Sequence, residues 1–173
     1  MKTRRLAELG LLTALALIIF ILELRLPNLS AIPGIKLGLA NIITVYAVFR
    51  YKPQETAMLV ASRVLLGAMF SGNLSALLYS AAGAALCLAG MLGVRRIIPP
   101  HWIWLSSMLG AIFHNIGQTL AAMCVMRSAA ILGYLPVLLF SGCMAGLFTG
   151  LAAQLVLARL HPRKPDESSP PRP

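Results

Sequence analysis

Short basic clusters cut this chain into long apolar runs. Lys2, Arg4 and Arg5 precede the first run; Arg50 with Lys52, Arg95 with Arg96, and Arg159 with Arg163 and Lys164 punctuate the rest. Stretches such as Leu6–Leu24 and Trp102–Val125 match the roughly 20 residues that a helix needs to cross about 30 Å of hydrocarbon. In hydrocarbon every backbone N–H and C=O must be satisfied internally, so such runs are helical. The composition agrees. Charged residues make up 12% of the chain, where a soluble domain carries about 25%, and 58% of residues are hydrophobic.

The punctuation divides the chain into six helices, at about Leu6–Leu24, Lys36–Phe49, Pro53–Phe70, Leu74–Val94, His101–Met126 and Leu132–Leu160. The expected fold is all-α: a polytopic membrane protein with six transmembrane helices in one bundle over residues 1–160. Pro53 suits a first helical turn. Gly133 and Pro136 are placed to break the first turn of the last helix. Residues 161–173 are polar and proline-rich, which reads as a disordered cytoplasmic tail. The first run is longer than a signal-peptide core and no Ala-x-Ala site follows it, so it reads as a retained helix.

Charge sets the orientation. With six crossings, eleven Lys and Arg fall on the side of both termini and three, Arg25, Lys36 and Arg127, on the other. Cationic loops stay inside, which places both termini in the cytoplasm and the chain in the cell membrane as a multi-pass protein. The formal net charge of +10 is therefore a topology signal and not a nucleic-acid footprint. Cys87, Cys124 and Cys143 all lie in apolar runs without C-x-x-C spacing, so neither a metal site nor a disulfide is expected.

Polar residues inside these runs carry the functional information. Gly110–Thr119 holds His114, Asn115 and Gln118 at membrane depth. His114 and Gln118 are i and i+4, and Asn115 overlaps their face. Such a cluster costs several kcal/mol unless it is satisfied within a bundle or a wet cavity. It is either a site or interhelical glue.

Orientation converts position to depth. Lys36 and Asn73 fall near the outer surface, Asn41 and Gln118 in the outer half, and Arg63, His114 and Asn115 near mid-membrane. This distribution fits an outward-facing cavity for a small solute. It lies beneath the segment Arg25–Gly34, whose prolines and glycine shape it either as a lid or as a loop resting at the interface. Arg63 and Lys36 suit an anionic group. Glu23 is the carboxylate that would otherwise neutralise one of them. Tyr79 and Ser75 fit packing and local bonding.

Catalysis has little support. Asp166, in the tail, is the only aspartate, and no carboxylate pair exists for acid–base or Mg²⁺ chemistry. There is no P-loop. No cofactor is implied, and any ATP-driven cycle needs a partner. On the first helix, Gly10 and Ala14 form a small-xxx-small pair that lets another helix approach, within the bundle or from a partner subunit.

Ile32–Asn41, Ser71–Asn73 and Gly110–Gln118, in that order, resemble the Gx transporter family, whose members are often labelled heptaprenyl diphosphate synthase component I. The resemblance runs from about Leu6 to Leu157. The family is similar in size and helix count to the substrate-binding S-components of energy-coupling-factor transporters. That likeness implies a six-helix protein that takes a vitamin-like solute from outside. It also implies docking on a transmembrane coupling subunit with two ATPases, with Gly10 and Ala14 at the docking face, where the usual pattern is Ala-x-x-x-Ala. The synthase label implies a different role. Prenyl diphosphate synthases hold Mg²⁺ through Asp-Asp-x-x-Asp motifs, which this chain lacks, so it would be a non-catalytic membrane subunit beside a separate enzyme.

Overall fold

A computed structural model describes residues 3–25, 38–72, 74–99 and 102–160. Lys36, Asn73, most of the segment Arg25–Gly34 and the tail 161–173 lie outside the described residues. Within them the protein is helical: α1 Thr3–Arg25, α2 Asn41–Arg50, α3 Pro53–Ser71, α4 Leu74–Val94, α5 Ile103–Met126 and α6 Leu135–Leu160, with a short 3₁₀ helix at Ala129–Tyr134. Four segments are long and apolar enough to cross a membrane: Thr3–Glu23, Leu77–Val94, Ile103–Met126 and Ala129–Leu160. α3 has nineteen residues but carries Glu55 and Arg63.

Local chemistry explains the ends. α3 starts with Pro53, and the Glu55 carboxylate accepts from Lys52 N–H at 3.0 Å, satisfying a donor that the helix leaves open. It stops at Gly72, which takes a left-handed φ of 65° and donates its N–H to Ala68 O at 3.1 Å. α2 starts at Asn41, five residues later than the apolar run from Lys36 predicts. Gly38 has φ +68°, and Asn41 N–H closes a turn onto Gly38 O at 2.8 Å. At ten residues α2 is about 15 Å long. The break foreseen at Gly133 and Pro136 is the 3₁₀ helix, and α6 restarts at Leu135 with Pro136 in its first turn.

Two kinds of packing coexist. α5 lies between α4 and α6 at backbone distance. A Cβ at Gly150 of α6 would come within 2.6 Å of Trp104 Cα, and one at Gly146 within 2.8 Å of Met108 Cα. On the opposite face, a Cβ at Gly117 would meet Ala82 O at 2.7 Å. Close approach through small residues is how helices associate where apolar burial gives no advantage. α1, α2 and α3 meet instead through larger side chains: Leu9, Ile43, Tyr46, Leu59 and Val60 form one buried cluster.

A polar lock ties one end of the bundle. Arg5 pairs with Glu55 at 3.4 Å, Tyr51 OH donates to Glu8 at 3.4 Å, and Arg95 donates to the carbonyls of Val48 and Tyr51. Burial raises the Tyr51 hydroxyl above its ordinary value of 10.0, and the neighbouring Glu8 adds to the rise. The bundle's outer surface is apolar, with Leu11 72% exposed and Phe140 73%, as a lipid-facing surface requires.

Candidate functional site

Polar residues from all six helices converge on one cavity of about 390 Å³. α5 contributes a stripe at helical spacing: Ser107, Ala111, His114, Asn115 and Gln118. α3 contributes Arg63 and Ser71, and α2 contributes Asn41 and Thr44. α6 closes the side with Leu138, Gly142 and Gly146. Glu23 and Gly38 line the end away from the polar lock. At the other end the Ser107 and Thr149 hydroxyls share a hydrogen bond of 3.1 Å. Val45 and Met91 also line the cavity and belong to an apolar cluster with Val48, Ile103 and Ala153.

Arg63 defines the electrostatics. Its Nη1 donates to Asn41 Oδ1 at 3.3 Å, a neutral acceptor. Among the described residues no carboxylate oxygen lies within 4 Å of it. No direct contact with Glu23 forms: the Glu23 carboxylate accepts the backbone N–H of Gly38, while it lines the same cavity as Arg63 and acts on it through space. The physical reason is the turn at Gly38, which presents an unsatisfied amide to the end of α1. A guanidinium has five N–H donors and stays charged. Arg63 thus stands at one side of the cavity as its positive group, with Asn41 as its hydrogen-bond acceptor and Glu23 as the opposite charge on the same lining.

Asn115 is at once a cavity-lining residue and the donor of an interhelical bond. It lines the cavity, and its Nδ2 donates to Leu138 O of α6 at 2.6 Å. Gly142 leaves the room for this amide, because a Cβ there would collide with it. His114 and Gln118 pack against Gly83 of α4, where a Cβ would approach Gln118 Cγ to 2.6 Å. Five expected residues, Asn41, Arg63, His114, Asn115 and Gln118, thus meet in one place. Gly10 and Ala14 lie elsewhere, on the exposed face of α1, and nothing lies within 4 Å of a Cβ built at Gly10. Tyr79 lines the cavity, and Ser75 is exposed.

Sequence reasoning missed several lining residues. Thr44 and Thr119 are each 3% exposed, and neither hydroxyl has a hydrogen-bond partner among the described residues. A buried orphan hydroxyl costs about 1–3 kcal/mol. Both residues line the cavity, but their hydroxyl oxygens are turned away from its open space. Ser107 was recoverable: extending the His114 face back by two helical turns reaches it. Thr44 carried no such signal, since a threonine in an apolar helix ordinarily bonds its own backbone. Among the described residues no cluster of His, Cys, Asp or Glu is able to hold a metal ion.

Residues 12–156 match the family described as Heptaprenyl diphosphate synthase component I. The chain belongs to that family. All five converging residues fall inside the match, whereas Gly10 precedes it. No curated protein matches the chain. No solved structure does either.

Proposed function

We propose that this member of the component I family is a multi-pass protein of the cell membrane that binds a small, anionic solute from the outer face. In this reading all six helices cross, and both termini are cytoplasmic. The polar lock lies at the inner end, and the cavity faces outward from the end that carries Glu23 and Gly38. The observation that carries the reading is the convergence of Asn41, Arg63, His114, Asn115 and Gln118 on one cavity. The chain acts as the binding component of a transporter, similar to an S-component. Energy comes from a transmembrane coupling subunit with ATPases, docked on the exposed Gly10–Ala14 face of α1.

The family match favours a second reading. Its description names one component of a synthase, which accords with a chain that is not itself an enzyme and has no aspartate outside the tail. Here the chain would be a non-catalytic membrane subunit beside a separate heptaprenyl diphosphate synthase. Affinity purification of the full chain in mild detergent, with identification of retained proteins, separates the two. A coupling subunit with ATPases is the expected result. An aspartate-rich synthase retained in their place would contradict the transport reading and support the second.

A further inference from the structure

We infer that an open basin at the start of α1 binds the phosphate headgroup of an anionic glycerophospholipid, whose acyl chains lie along the exposed apolar row of the same helix. The inference does not depend on what fills the cavity between the helices. It needs only that α1 crosses the membrane.

The basin forms where three helix ends meet. Arg4, Arg5 and Glu8 come from the start of α1, Arg50 from the last turn of α2, and Lys52 and Glu55 from the start of α3. Charge is the first argument. Among the described lining residues these four cations face two carboxylates. Both carboxylates are already engaged. Glu55 pairs with Arg5 at 3.4 Å and accepts Lys52 N–H at 3.0 Å. Glu8 pairs with Arg4 at 3.4 Å and accepts the Tyr51 hydroxyl. Among the described residues no carboxylate oxygen lies within 4 Å of the Lys52 ammonium. The lining therefore keeps an excess of two positive charges, which a phosphate offsets and a zwitterionic headgroup does not. Guanidinium groups take phosphate oxygens through paired N–H donors, and basic pockets between helix ends suit anionic headgroups.

Position is the second argument. On α1, Arg4 and Glu8 begin a row at spacings of four and three residues that continues through Leu11, Leu15, Ile18 and Leu22, so all six share one face. The four apolar members are exposed, and Thr3–Glu23 is long and apolar enough to cross a membrane. Met58, in the second turn of α3, lines the basin and is exposed as well. The basin thus passes directly into lipid-facing surface. A soluble phosphate would match its charge but not this continuation, and neither would an acidic segment of a partner protein. A phospholipid matches both.

The test uses the purified, delipidated full chain in a non-ionic detergent, with thermal unfolding followed as each probe is added. The probes are short-chain phosphatidylglycerol, short-chain phosphatidylcholine and glycerol phosphate. Saturable stabilisation by phosphatidylglycerol, with little from the other two, is the expected result. In Arg50→Gln/Lys52→Gln the half-saturating concentration rises about tenfold to thirtyfold. Arg96→Gln/Arg159→Gln removes the same charge from exposed positions outside the basin and leaves that concentration unchanged. Equal stabilisation by phosphatidylcholine overturns the headgroup assignment. Equal stabilisation by glycerol phosphate assigns the basin to a soluble phosphate and overturns the lipid. Equal weakening in the two double variants means that overall charge attracts the lipid, and overturns the basin as a site. No response to any probe overturns the proposal outright, and a protein subunit then lost from Arg50→Gln/Lys52→Gln on purification would make the basin a protein contact instead. The wild-type comparison among probes decides the headgroup class even if a variant does not fold.

Discussion

Arg63 sits midway along α3, where a charge in an apolar helix has two explanations, a ligand or a buried partner. Sequence could place it at depth but not choose between them, because the choice depends on which wall of the bundle Glu23 faces. The turn at Gly38 engages one Glu23 oxygen and keeps the carboxylate out of direct contact with Arg63, though both line the same cavity. Asn115 shows the opposite ambiguity, since the same side chain lines the cavity and bonds Leu138 O. Asn115→Ala is expected to lose about 1 kcal/mol of stability, seen as a fall of about 2–4 °C in the Tm of the detergent-solubilised protein. An unchanged Tm would mean that the bond to α6 contributes nothing. Tyr51 gives a pH prediction. The folded chain holds the Tyr51 proton to higher pH than the unfolded chain, whose value is about 10. Its contribution is intact below that value and is lost as pH rises above it. Tyr51→Phe should flatten this alkaline loss in thermal unfolding followed between pH 8 and pH 11.

Among the helices, the sequence was most legible where apolar period and basic punctuation agreed. α4 has the bounds that its loop residues predict, and α3 ends one residue later than expected. α2 was misplaced because Ile35–Ala40 continues its hydrophobicity, while the positive φ of Gly38 is a conformational fact that composition does not carry. The stripe on α5 was readable because its polar residues recur at helical spacing, but its neighbours were not. That α4 and α6 both press on α5 through glycines depends on backbone distances. Two substitutions separate close packing from open surface. Gly150→Leu must push against the Trp104 backbone, and overpacking of this kind costs about 1–3 kcal/mol. Gly10→Leu meets nothing within 4 Å and should leave the Tm of the isolated protein unchanged. Equal losses in the two variants would contradict this division. If Gly10→Leu also loses its retained partner subunits on purification, the α1 face is the docking surface.

For the molecule as a whole, the cavity lies where two differently packed halves meet. α4, α5 and α6 form a slab joined at backbone distance, and it carries His114, Asn115 and Gln118. α1, α2 and α3 meet through side chains and carry Glu23, Asn41 and Arg63. Amphiphile-like contrasts run along the bundle too, with a basic, interlocked end at Arg5, Tyr51 and Arg95 and a cavity toward the other end. The most direct test of the central claim is native mass spectrometry of the full chain extracted gently from its own membrane, beside Arg63→Gln. The account predicts a stoichiometric small organic solute on the wild type that is lost from the variant. A wild-type chain that carries no small molecule and is bound to a soluble synthase would contradict it.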